Sequence, residues 1–100
     1  MIRHIVTWNY KDGFSESENR ENALKVKYEL ESLPQFIDGI IAFKVHINQL
    51  SSSNRDIILN SLFESEEALA NYQIHPKHKA VSALVGSFFQ DRACIDYYER

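Results

Sequence analysis

The string Tyr72-Gln73-Ile74-His75-Pro76-Lys77-His78, together with His4 near the start, gathers the residue types best suited to proton chemistry. A neutral imidazole, with an ordinary pKa of about 6.5, can take a proton from an activated carbon near neutral pH. A phenol hydroxyl can donate to the carbonyl or enolate that forms. Such a set would serve a cofactor-free reaction on a carbonyl compound, or would hold that compound by hydrogen bonds alone. Each residue also has a structural alternative. His4 can be a buried histidine bonded to Tyr72 or to a backbone carbonyl. His75 precedes Pro76, which disfavours α conformation, so its ring is expected to bond locally at a helix break. His78 can be an exposed residue near the start of the helix that resumes there. His75 and His78 are spaced i, i+3, yet no nearby carboxylate or cysteine completes a ligand set, so neither metal nor cofactor is expected. Cys94, the one cysteine, excludes an internal disulfide, and no cysteine-based zinc site is expected.

These residues need a scaffold, and the chain is sized for one core. Its 100 residues, 44% apolar with 3 glycines and 2 prolines, predict a single domain over residues 1–100. A domain of this size buries about 60 to 70% of the surface its unfolded chain exposes, so pairing with a copy of itself adds useful burial. The net charge of −3, with lysines and arginines scattered singly, gives no basic field for nucleic acid. No apolar run approaches the roughly 20 residues of a membrane span, so no membrane association is expected. Met1 leads directly into an alternating segment carrying Arg3 and His4, unlike a signal peptide. A cytoplasmic, reducing location is the expectation.

Residues 2–10 place Ile2, His4, Val6, Trp8 and Tyr10 on one face of an extended segment, a first strand. Ser15 followed by Glu18 has the form of a capping box, and Ala23, Val26, Leu30 and Leu33 recur at helical spacing up to Pro34. After the Asp38-Gly39 turn, Ile41, Phe43, Val45 and Ile47 alternate in a second strand. Beyond a Ser51–Asn54 loop, the run from Asp56 puts Ile57, Leu59, Ser61 and Phe63 on one face of a third. Ser65 is placed to cap a second helix with Leu69 and Tyr72 inside; it breaks at His75-Pro76 and restarts toward Val81, Leu84, Val85 and Phe88. Arg92–Tyr98 supplies a fourth strand. The order βαββαβ predicts an α+β, ferredoxin-like domain with a four-stranded antiparallel sheet. Val6, Trp8, Phe43, Val45, Leu59 and Phe63 lie on the face beneath the helices. The opposite face, with Ile5, Ala42, Ile58 and Leu62 among Thr7, Lys44 and Asn60, has no helix left to cover it, and a second subunit would.

MIRHIV at the start, FESEEALANYQIHPKHKAV in the second half and IDYYE near the end resemble the stress-responsive A/B barrel domain family over nearly the whole chain. The resemblance implies subunits that pair through their sheets into a dimeric α+β barrel. It implies no single activity. Plant stress-induced members are associated with structural protection, many bacterial ones have no assigned role, and olivetolic acid cyclase is a cofactor-free aldol cyclase. Through the likeness to that cyclase, His78 corresponds to the catalytic histidine, acting as base. Tyr72 corresponds to the catalytic tyrosine, a hydrogen-bond donor, and His4 to a cavity histidine. Ile57 and Val26 stand where the cyclase has a further histidine and tyrosine, so its own reaction is not expected here. The expected pocket lies between sheet and helices, edged by His4, Tyr72, His75 and His78 and lined by Val6, Trp8 and Leu59, and would take a small apolar or carbonyl ligand. Three roles stay open at this point: a ligand-binding homodimer, a cofactor-free enzyme acting on a carbonyl or polyketide-like compound, and a structural or protective oligomer.

Overall fold

Strict alternation in two segments builds the centre of the sheet. Ile2–Tyr10 forms strand β1 and Ile57–Phe63 forms strand β3 in a computed structural model that describes residues 1–100. The two pair antiparallel with Ile2 opposite Phe63, His4 opposite Ser61 and Val6 opposite Leu59, and all six side chains are buried on the same face. Strand β2 (Ile40–His46) adds to β3 and strand β4 (Phe89–Tyr98) adds to β1, both antiparallel, giving the order β2-β3-β1-β4. Helices α1 (Glu16–Glu31), α2 (Glu66–Ile74) and α3 (Pro76–Phe88) complete the ferredoxin-like βαββαβ arrangement, the second helix being split in two.

Local chemistry fixes the helix ends. At α1 the Ser15 hydroxyl accepts from the Glu18 amide while the Glu18 carboxylate accepts from the Ser15 amide, satisfying two otherwise orphaned donors. Ser65 accepts from the Ala68 amide at the start of α2. The first helix stops at Glu31, two residues before the expected end, and Leu33 is buried from a 3-10 turn over Leu33–Gln35. From this end of α1, Glu31 accepts the Val45 amide at 2.9 Å and Lys27 donates to the Val45 carbonyl at 2.6 Å, tying the helix to edge strand β2.

Two expectations are corrected. Strict alternation put Ile41 in line with Phe43 and Val45; instead the register slips between Ile40 and Ala42, so Ile40 packs on the core and Ile41 is 47% exposed. A bulge adds one residue on one strand and so flips the side chains before it. The fourth strand begins at Phe89 rather than Arg92, and Phe89 is the one buried residue it contributes. No helix is long and apolar enough to cross a membrane.

A 17-residue apolar core fills the space between the sheet and the helices, with Val26, Ile57 and Phe63 fully buried. The outer face of the sheet carries no helix, and there Ile5, Ile58 and Leu62 are half-buried while Ile95 and Tyr97 are exposed.

Candidate functional site

The break between α2 and α3 is where the sequence makes the site. His75 adopts an extended backbone, φ −65° and ψ 135°, and Pro76 occupies the first turn of α3, where its missing N–H costs nothing. The His75 Nδ1 accepts the Lys77 amide at 3.1 Å, so this ring is spent as the cap of α3. The chain turns there and brings His78, in the first turn of α3, back over Tyr72 in α2. Their ring centroids are 4.2 Å apart.

His78 Nδ1 lies 3.1 Å from the Gln73 carbonyl, which can only accept. The hydrogen bond therefore places the ring proton on Nδ1 and leaves the lone pair on Nε2. Burial pushes the His78 pKa below the ordinary 6.5, with the neighbouring His4, Arg92 and His75 adding to the effect and the Gln73 bond opposing it. The imidazole is thus neutral at pH 7. Tyr72 is 1% exposed and packed against Phe63 and Phe43, and burial pushes its hydroxyl far above the usual phenol range. It is a proton-bearing donor at any physiological pH.

Both residues line a cavity of about 270 Å³ between β1, β3, α3 and the start of β4. His4, Val6, Trp8 and Leu59 form its sheet wall and Val85 and Ser82 its helix wall, while Asp91 and Arg92 stand at its β4 end. Of the residues singled out from the sequence, six meet here: His4, Val6, Trp8, Leu59, Tyr72 and His78. His75 does not, because it is turned to its capping bond.

His4 is 2% exposed, held edge-on by Phe63 and Tyr72 at centroid distances of 5.9 and 6.2 Å. Its Nδ1 hydrogen-bonds neither Tyr72 nor a backbone carbonyl, but Asp96 Oδ1 across the β1–β4 pair. The carboxylate accepts, so His4 carries a proton on Nδ1. Asp96 and Arg92 were not singled out from the sequence. The alternation of Cys94, Asp96 and Tyr98 holds the signal, since these face Val6, His4 and Ile2 once β4 lies antiparallel to β1. That register is a long-range fact which local pattern does not carry.

Solved structures share this fold. A dimeric protein of unknown function with a ferredoxin-like fold from Bacteroides fragilis is 28% identical, with a TM-score of 0.88 over 96% of this chain and 93% of the other. A dimeric ferredoxin-like protein of unknown function from Thermobifida fusca is 24% identical, with a TM-score of 0.81 over 96% of this chain and 88% of the other. A hydroxynitrile lyase from Passiflora edulis shares the fold at 15% identity, with a TM-score of 0.78 over 96% of this chain and 90% of the other. No curated protein sequence matches the chain. The family model of the stress responsive A/B barrel domain matches residues 2–99, and the chain belongs to that family.

Proposed function

We propose that the protein works as a homodimer in the cytoplasm, each subunit binding a small apolar, carbonyl-bearing compound between its sheet and α3. The observation that carries this reading is a cavity whose lining is half apolar and in which two polar groups are not used up by the fold, the Nε2 lone pair of His78 and the hydroxyl of Tyr72, which makes no hydrogen bond within the chain. Apolar side chains beside convergent polar groups are the usual ingredients of a ligand site. The cavity volume, about 270 Å³, falls just below the roughly 300 to 1,000 Å³ such sites span, which favours a compact ligand. The uncovered outer face, with Ile5, Ile58, Leu62, Ile95 and Tyr97, supports pairing of two sheets, as does the dimeric state of the Bacteroides and Thermobifida proteins.

Native mass spectrometry of gently purified protein tests both parts. A dimer carrying a small mass that leaves on denaturation supports the proposal. A monomer at all working concentrations, or a dimer that takes up no aldehyde or ketone from a panel of small aromatic and aliphatic carbonyl compounds, overturns it.

The tautomer of His78 favours a second reading, cofactor-free catalysis with Nε2 as base and the Tyr72 hydroxyl donating to the oxygen that gains charge. Here Tyr72→Phe and His78→Ala abolish turnover of the bound compound while thermal unfolding changes little. If the two residues serve only a protective assembly, His78→Ala instead lowers stability and no binding signal is lost.

A further inference from the structure

Antiparallel pairing of β1 with β4 sets His4 opposite Asp96 and Val6 opposite Cys94, all on the face turned toward the helices. An imidazole, a carboxylate and a thiol from opposite ends of the sequence therefore meet at one place. Cys94 Sγ is 3.8 Å from His4 Nδ1 and 3.6 Å from each oxygen of Asp96. All the donor atoms lie within 4.8 Å of one another. A tetrahedral ion with bonds of about 2.0 Å to nitrogen or oxygen and about 2.3 Å to sulfur holds its sulfur about 3.5 Å from the other ligand atoms. The two edges to sulfur already match that sphere to within a few tenths of an ångström. The third edge, now a direct hydrogen bond, widens when an ion replaces the proton between His4 and Asp96.

We propose that His4 Nδ1, Cys94 Sγ and an Asp96 carboxylate oxygen form a three-ligand site for a zinc-class divalent cation, with the fourth position open to water or a small ligand. The donor set selects the ion: thiolate and imidazole suit zinc and its neighbours, whereas magnesium and calcium require oxygen ligands throughout. Charge also balances, because one thiolate and one carboxylate neutralise a divalent ion. The His4 ring is held in place by Phe63 and Tyr72, while the Asp96 side chain is 40% exposed and gives the ion a way in.

Loading has a defined proton balance. The thiol releases its proton to solvent, and His4 gives up Nδ1–H to bind the ion with Nε2 protonated in the loaded ring, so at least one proton leaves per ion bound. His4 also lines the cavity. With Nδ1 on the ion, the second nitrogen carries a proton and donates into the cavity, which couples the metal site to what the cavity can hold. The site itself does not depend on that ligand.

The test is titration of metal-free, untagged protein with Co²⁺ and Zn²⁺. One ion per chain is expected, with a thiolate-to-cobalt charge-transfer absorption and at least one proton released, read by calorimetry in buffers of different ionisation enthalpy. Cys94→Ser should abolish the absorption and weaken zinc at least about tenfold, and Asp96→Asn should weaken it similarly. Cys94 is exposed, so its replacement leaves the fold intact. His75→Asn, which keeps a good helix cap and removes the rival imidazole beside His78, should leave binding unchanged. No binding, cobalt binding without the thiolate absorption, wild-type zinc affinity in Cys94→Ser, or loss of affinity in His75→Asn would each overturn the proposal.

Discussion

The central strands and β4 belong to one sheet and obey the same alternation, yet they live in different solvents. On β1 and β3 every residue facing the helices is buried or nearly so, from Ile2 through Trp8 and from Ile57 through Phe63. On β4 the corresponding row, Cys94, Asp96 and Tyr98, is exposed, because α3 buries this strand only at Phe89 and the helices leave the rest of it largely open. The covered half supplies rigidity through burial, which at about 25 cal/mol per Å² dominates folding. The uncovered half can keep a thiol and a carboxylate without the desolvation cost that a core would impose. The functional candidates sit along the border: His4 and Tyr72 on the dry side, Asp96 and Arg92 on the wet one.

The difference can be broken by mutation. Phe63→Ala, at a fully buried position wedged between His4 and Tyr72, should cost about 3 to 5 kcal/mol in urea unfolding. Cys94→Ala on the exposed strand should stay within about 0.5 kcal/mol, and equal costs would dissolve the distinction between the two halves. On the outer face, Leu62→Lys or Ile95→Lys should weaken self-association by about 2 kcal/mol or more, roughly thirtyfold in dissociation constant, by sedimentation analysis. A smaller effect, about 1 kcal/mol, is expected for Ser15→Ala, which removes the acceptor of the α1 capping box. The least is a pH effect at His78. Because burial lowers its folded pKa below 6.5, the unfolded chain binds the proton first as pH falls. Stability should therefore decline from about pH 6.5 down to the folded value and level off below it, and His78→Gln should remove that part of the slope in thermal melts.

The covered half was the legible one. Alternation in β1 and β3 follows directly from having one dry face, and the caps at Ser15 and Ser65 are local chemistry that four residues suffice to specify. The break at His75-Pro76 was readable for the same reason. What escaped depends on a neighbour distant in sequence. The slip at Ile40 to Ala42 accompanies Gly39, where φ is +87° and a Cβ would come within 2.6 Å of the Ala68 side chain; the close approach of the turn to α2 is visible only once α2 is in place. Asp96 reads as an ordinary exposed strand residue until β4 is set beside β1, and only then does it become the partner of His4.

The strand order carries a consequence for biosynthesis. β1 is made before its partner strands and lies inside the sheet, between β3 and β4. Ile2 pairs with both Phe63 and Tyr98, so its strand waits for partners made roughly 60 to 100 residues later before it is enclosed. While the ribosome is still working, the apolar row of Ile2, Val6 and Trp8 has neither its neighbouring strands nor α3 to cover it. Such long-range closure makes folding slower than local pairing would and leaves the nascent segment a natural client for chaperones until Phe89–Tyr98 emerges.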